Sequence, residues 1–254
     1  MSTIAAKTGW TWLKQGMGLF RKQPAALTTL LLANVLFSFA IGIVPVLGQI
    51  AAVLLIPSFS MAFMQACRMI DQDQRISPAV LLTGFRKPAV IALCKIGLAY
   101  LAVTALLTLI GYLMLSDGFW HQAASPTVPA VIDRSDVLGV LLIAVLEIGT
   151  LMALCFASPL AFWQQMPPGK AIFYSFFAVM RSARVFLVML MAWFGIFMAT
   201  TVVMLMVFGQ DTSGRVAVTW LGFLFILLLQ CAMYAAYRQI FGVPGPDAKS
   251  AAVG

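Results

Sequence analysis

The sequence predicts an all-α polytopic membrane protein with six transmembrane helices, and three observations support this fold class. Hydrophobic residues make up 62% of the 254-residue chain, charged residues make up only 9%, and the mean hydropathy is +1.00. Soluble domains carry roughly 25% charged residues, so the chain lacks the surface of a water-soluble enzyme or a nucleic-acid-binding protein. Six apolar stretches also reach the roughly 20 residues that a bilayer-spanning helix needs.

These six stretches define the predicted order of elements. Each is expected to be helical, because the bilayer core holds no water that could hydrogen-bond to open backbone groups. Pro45 and Gly48 mark a tight turn between the first two spans, and Pro57 and Pro159 are expected to kink spans 2 and 4. The predicted spans lie at about 25–44, 47–67, 89–115, 137–163, 185–208 and 216–237. Together they form one membrane domain, 1–242, followed by a flexible tail at 243–254.

Lys and Arg are distributed very unevenly between the two sides of the predicted membrane. Thirteen of the 16 lie before span 1, between spans 2 and 3, between spans 4 and 5 or after span 6. Only Arg134 and Arg215 lie in the opposite connections. Because cytoplasmic loops carry an excess of Lys and Arg, we expect both termini in the cytoplasm.

A short basic motif precedes every second span. Residues 18–24 read GLFRKQP, residues 84–88 read GFRKP, and residues 178–184 read the looser AVMRSAR. Each motif closes a segment that is able to form an amphipathic helix, and each is followed by two spans. This pattern predicts three repeats of an interfacial amphipathic helix and a helical hairpin, over about 5–67, 76–165 and 168–240.

The first of these surface helices has the clearest pattern. At 100° per residue, Trp10, Trp12, Leu13, Met17 and Phe20 fall within one arc and the basic residues fall on the other side. This arrangement is typical of a helix that lies in the headgroup plane, with its aromatic side in the lipid. The basic corners serve as positional anchors or recognise anionic headgroups; the candidate contacts are Arg21, Lys22, Arg86, Lys87, Arg181 and Arg184.

Small residues recur at a spacing of four in the second span of each repeat. They are Ser58, Ala62 and Ala66 in span 2, Ala153, Ala157 and Ala161 in span 4, and Ala232 and Ala236 in span 6. Small side chains allow helix backbones to approach closely, which favours helix association in lipid. The pattern predicts that spans 2, 4 and 6 pack most closely, around a pseudo-threefold axis.

Two ionisable residues, Glu147 and Lys95, lie inside predicted spans. A charge at the bilayer centre costs about 2.5–3.5 kcal/mol on insertion scales, so an intramembrane carboxylate is a candidate functional group. Glu147 is either protonated and hydrogen-bonded in a helix interface, or paired with Lys95, or part of a polar path that titrates during transport. Lys95 lies near enough to the start of span 3 for its ammonium group to reach the interface.

The sequence carries no catalytic, nucleotide-binding or metal-binding motif. The four cysteines lack a CxxC spacing, and His121 is the only histidine, so no cofactor is expected. The preferred function is therefore a non-enzymatic membrane scaffold that organises lipid or proteins. Its expected partners are anionic headgroups on the cytoplasmic side, a membrane-protein partner or a second copy, and no nucleic acid. The alternatives are a small transporter or channel-like module whose polar path includes Glu147 and, third, an intramembrane enzyme.

Four segments carry a resemblance to known proteins. They are WTWL at 10–13, LFRKQP at 19–24, VPVLGQI at 44–50 and IPSF at 56–59. Together they resemble a family of uncharacterised six-span inner-membrane proteins of proteobacteria. The resemblance implies the six-span architecture and the inner-membrane location, and it implies no activity.

Overall fold

The computed structural model describes residues 7–45, 47–85, 89–116, 119, 134–209 and 211–243. This part of the chain is helical and contains no β-strand, and six of its helical segments are long and apolar enough to cross a membrane. The predicted fold class is confirmed. In chain order the helices are α1 (Thr8–Lys22), α2 (Pro24–Gly42), α3 (Leu47–Asp71), a 3-10 helix (Pro78–Phe85), α4 (Ala89–Met114), α5 (Arg134–Leu154), α6 (Ala157–Trp163), α7 (Pro168–Arg181), α8 (Ala183–Phe208) and α9 (Thr212–Phe241).

The helices end where the backbone leaves the helical conformation. Gln23, which precedes Pro24, has φ −142° and separates α1 from α2, because the residue before a proline is pushed out of the helical region. Gly209 and Gly242 follow α8 and α9 with φ of 74° and 88°, a conformation that glycine adopts without a steric penalty. Gly209 directly follows the predicted end of span 5, whereas α9 extends beyond both predicted ends of span 6, so span 6 is longer than predicted. The predicted tail lies outside the described residues, except for Val243.

Span 4 is interrupted, whereas span 2 is a continuous helix through Pro57. The break in span 4 lies at Cys155 and Phe156, between α5 and α6. Pro159 lacks the backbone N–H that would bond to the carbonyl of Cys155, four residues earlier, so the helical hydrogen-bond ladder is broken at this point. Span 4 therefore consists of a long outer helix, α5, and a short helix, α6, of seven residues.

In the described ranges, the helices that lie outside the six spans are α1, the 3-10 helix and α7. Each precedes one pair of spans, so chain connectivity places all three at the end of the bundle where the chain enters and leaves, which we call the terminal end. The 3-10 helix packs against α3, α7 packs against α5 and α6, and α1 packs chiefly against α9 and α8. The 3-10 helix and α7 thus each contact the second span of the preceding pair, whereas α1 contacts the last pair.

Helix α1 is more deeply built into the bundle than an interfacial helix. Its buried residues are Gly9, Trp12, Gly16 and Leu19, and Trp12 is fully buried with its indole Nε1 donating to the side-chain carbonyl of Gln239. Trp10 and Met17, from the predicted lipid-facing arc, are exposed. The apolar arc is therefore divided between the protein core and the surface. The second surface element also differs from expectation, since it forms a 3-10 helix with Val80 and Gly84 buried.

Candidate functional site

A cavity of about 730 Å³ is lined by residues of spans 2 to 6 and by Val179 of α7. Its lining contains five polar or charged side chains: Ser60, Tyr100, Ser158, Arg184 and Gln230. The other lining side chains are aliphatic or belong to Met, Phe, Pro and Cys. The volume lies within the range of about 300–1,000 Å³ that is usual for small-molecule sites. The cavity is therefore large enough for a ligand and predominantly apolar.

The cavity lies beside a gap between span 4 and span 5. In the described part of the chain, α8 packs chiefly against α9 and α1. At the terminal end the ring of Phe156 meets that of Phe186 of α8, 5.8 Å between centroids, and no backbone approach comparable to that of α9 joins α8 to α5. Ile148 and Leu151 from α5 and Leu187 and Leu190 from α8 line the cavity and are also exposed on the outside of the bundle. Because these are lipid-depth segments, the mouth between α5 and α8 faces the bilayer.

Arg184 is the one charged side chain of the described lining. It lies in the first turn of α8, at the terminal end, and it is exposed. It forms no hydrogen bond or ion pair with another described residue. The guanidinium thus provides a positive charge that no described residue neutralises, at the rim of a cavity whose other described lining residues are uncharged. The dipole of α8 adds to the positive potential there.

The wall of the cavity at the break in span 4 is held by α7. Ser175, which is fully buried, donates through Oγ to the carbonyl of Met152 at 3.1 Å and accepts from the N–H of Phe156 at 2.9 Å. These two bonds occupy backbone groups that the interrupted helix leaves open. Met152 and Cys155 line the cavity, and so does Val179 of α7. The surface helix is therefore part of the cavity wall.

The structure does not bring Glu147 and Lys95 together. Glu147 is half-buried on α5, Lys95 is exposed on α4, and neither forms an ion pair or hydrogen bond with a described residue. Neither side chain lines the cavity. Lys95 shares its exposed face with Ile91 and Leu98, so it lies on the lipid side of the bundle.

The candidate packing residues are nearly all buried. Ser58, Ala62, Ala66, Ala157, Ala161, Ala232 and Ala236 are buried, and Ala153 is half-buried. At two of these residues a surface helix approaches closely, with a glycine at the contact. A Cβ added to Gly16 of α1 would lie 2.6 Å from the backbone nitrogen of Ala232, and one added to Gly84 of the 3-10 helix would lie 2.9 Å from the carbonyl oxygen of Ser58. Span 2 packs against both α6 and α9, but more extensively against α4 of span 3. Between α6 and α9 the contact is made by aromatic rings such as Trp163 and Tyr237, 4.9 Å apart, so the predicted closest packing of spans 2, 4 and 6 is wrong.

The candidate lipid contacts have different environments. Lys22 forms an exposed ion pair with Asp73, with Nζ 2.7 Å from Oδ1. Arg21 is exposed, and Arg181, also exposed, has an interaction partner within the protein. Arg86 and Lys87 lie outside the described residues. Arg184 is the member of this set that meets the cavity.

Sequence reasoning missed a polar layer at the terminal end. Arg238 of α9 forms an ion pair with Asp71 of α3, and Tyr234 donates to the same carboxylate at 3.2 Å. Nearby, Trp163 donates to Gln65 at 2.9 Å, and Gln164 donates to the hydroxyl of Tyr237 at 3.2 Å. The one available signal was Asp71, an acidic residue at the end of span 2 on the same membrane side as Arg238.

The chain is similar to a probable inner membrane protein of Burkholderia thailandensis. The two sequences are 28% identical over 256 aligned positions, which cover 96% of this chain and 95% of the relative. No protein-family model matches the chain, and no solved structure matches it. The resemblance to uncharacterised inner-membrane proteins is confirmed, and the six apolar helices together with this relative identify a multi-pass inner-membrane protein.

Proposed function

We propose that this multi-pass inner-membrane protein is a non-enzymatic protein that binds and organises bilayer lipid through its central cavity. The observation that carries the proposal is the apolar cavity of about 730 Å³ with its mouth between α5 and α8. This function is a specific form of the lipid-organising role that the sequence predicts.

The chemistry of the lining favours an acyl chain as the occupant. An apolar cavity offers water too few hydrogen-bonding partners, and an empty one deprives its lining atoms of van der Waals contacts. Ile148, Leu151, Leu187 and Leu190 form an apolar mouth at membrane depth, where lipid chains are the most abundant molecules. A chain that enters from the bilayer therefore restores the missing contacts without crossing a polar barrier.

The same lining gives little support to an ion-conducting or proton-coupled path. Such a path needs polar or charged groups along its length to replace the hydration of the ion. The described lining has one charge, Arg184, at its rim, and Glu147 is not part of it. The lipid-binding function therefore fits this cavity better than the transport alternative.

Native mass spectrometry of the protein purified with its membrane lipids in mild detergent tests the proposal. Ser60 lines the cavity, and Ser60→Phe places a ring inside it. We expect the wild-type protein to retain lipid and this variant to lose most of it. Gly195→Phe is the matched control, because Gly195 lies on the exposed surface of α8 with no atom within 4 Å of an added Cβ.

The outcomes separate the alternatives. Retained lipid in Gly195→Phe and in Glu147→Gln, together with loss in Ser60→Phe, supports the proposal. A wild-type protein without bound lipid would overturn it, and so would a folded Ser60→Phe variant with undiminished lipid. Thermal unfolding of each variant in the same detergent establishes that it is folded.

A further inference from the structure

We infer that the cavity selects a phospholipid with an anionic headgroup, whose phosphate binds at Arg184 and whose acyl chain lies between α5 and α8. This inference rests on the proposed lipid-binding function and adds the chemical class of the ligand. It assigns Arg184 as a headgroup-binding residue.

The charge pattern of the cavity favours a phosphate group at Arg184. Arg184 is the only charged side chain among the described lining residues, no carboxylate shares the lining with it, and no described residue pairs with it. Guanidinium binds phosphate through paired N–H donors, and it is less strongly hydrated than an ammonium group. The rim therefore presents a phosphate-binding group that no described residue occupies.

The depth of the cavity matches an acyl chain in one leaflet of the bilayer. On α8 the lining extends from Arg184 to Leu190, about 9 Å at 1.5 Å per residue, and on α3 it extends from Ile56 to Met64, about 12 Å. One leaflet of the hydrocarbon core is about 15 Å thick. A lipid with its phosphate at Arg184 thus has its chain beside the apolar lining over most of one leaflet.

The lateral mouth favours a membrane lipid over a soluble ligand. A diacyl lipid has more chain volume than a narrow cavity encloses, so part of it must remain in the bilayer while it is bound. The mouth between α5 and α8 permits this, because both of its edges are exposed apolar side chains. A soluble phosphorylated metabolite would gain nothing from these edges, so the occupant is a membrane lipid.

Lipid exchange measured by native mass spectrometry tests the inference. Detergent-purified protein is equilibrated with vesicles of either phosphatidylglycerol or phosphatidylethanolamine that carry the same acyl chains. Phosphatidylethanolamine carries the same phosphate, but its ammonium group offsets the phosphate charge and competes with Arg184 for it. One basic side chain near a membrane surface contributes about 1 kcal/mol toward an anionic lipid, so we expect about a fivefold preference for phosphatidylglycerol. The preference falls as salt rises, because Arg184 is exposed and its charge is screened.

Three variants distinguish this inference from the proposed function. Arg184→Gln abolishes the preference but leaves binding of both lipids, Arg184→Lys keeps part of the preference, and Arg215→Gln, a matched change at the opposite end of the bundle, keeps it fully. Equal binding of the two lipids by the wild-type protein would overturn the inference while the proposed function stands. An unchanged preference in Arg184→Gln would overturn it as well. If the wild-type protein binds neither lipid, both proposals fail.

Discussion

Arg238 at the end of α9 holds Asp71 at the end of α3, with its Nη1 atom 2.8 Å and 2.7 Å from the two carboxylate oxygens. About a third of the Arg238 side chain and a quarter of the Asp71 side chain remain exposed, at 34% and 23%. The pair joins the last turn of span 2 to the last turn of span 6. It therefore links the first pair of spans to the last pair at the terminal end.

Asp71→Asn should lower the free energy of unfolding by about 1–2 kcal/mol. The variant keeps the shape of the side chain but leaves the partly buried Arg238 without its counter-charge, and charge-assisted hydrogen bonds contribute about 1.5–3 kcal/mol before screening by solvent. Thermal unfolding in detergent measures the effect, at roughly 2–4 °C per kcal/mol. Asp73→Asn is the control, because its ion pair with Lys22 is largely exposed and should contribute at most about 1 kcal/mol. Equal effects of the two changes would contradict the structural role of Asp71.

The close approach of α1 to α9 predicts opposite effects of two neighbouring glycine substitutions. In Gly16→Ala the new Cβ would lie 2.6 Å from the nitrogen and 2.9 Å from the Cα of Ala232, so the helices must separate. We expect destabilisation by about 1–3 kcal/mol, the usual cost of overpacking. In Gly18→Ala the Cβ meets no atom within 4 Å, and the higher helix propensity of alanine should stabilise the protein by about 0.5–1 kcal/mol.

The melting temperatures of these two variants decide whether α1 is part of the packed core. A decrease for Gly16→Ala and an increase for Gly18→Ala are expected. Two small changes of the same sign would show that α1 lies loosely on the surface, as the amphipathic pattern alone suggests.

Ser175→Ala should destabilise the break in span 4. The substitution leaves the N–H of Phe156 without its partner and removes a donor from the carbonyl of Met152. An unpaired buried polar group costs about 1–3 kcal/mol, and the fully buried position of Ser175 excludes water as a substitute. Thermal unfolding with Ser213→Ala as the control measures this, since Ser213 is exposed and makes only a 3.4 Å contact to the carbonyl of Phe208. A melting temperature equal to that of the control would show that the break needs no support from α7.

The spans were predictable because hydropathy and length are local properties of the sequence. A stretch such as 185–208 must be helical in lipid whatever its neighbours are. The effect of a proline inside a span is less local, because Pro159 accompanies a break in span 4 whereas Pro57 lies inside a continuous helix. The side chains that face protein were harder to predict. In a membrane, apolar residues on the lipid side and on the core side look alike, so Trp10 and Trp12 fall in the same arc although only Trp12 is buried.

The candidate site was predictable only in part. Arg184 belonged to a basic corner with several equivalent members, and its special position arises because α8 does not pack against α5, a relationship between distant segments. Asp71 and Arg238 are 167 residues apart, so their pairing leaves no local pattern. Glu147 was conspicuous because it is a charge in a span, but no described side chain pairs with it.

The uneven distribution of Lys and Arg predicts that the terminal end lies in the cytoplasm. Reporter fusions test this orientation, because alkaline phosphatase is active only outside the cytoplasm and green fluorescent protein fluoresces in the cytoplasm. Fusions after Gln74, Met166 or Val243 should be fluorescent and without phosphatase activity, whereas fusions after Ile43 or Gly209 should show the reverse. The physical reason is that basic segments resist translocation. Thirteen of the 16 Lys and Arg lie before span 1, between spans 2 and 3, between spans 4 and 5 or after span 6, all at the terminal end. Phosphatase activity after Val243 would reverse the orientation and place Arg184, with the mouth of the cavity, in the outer leaflet.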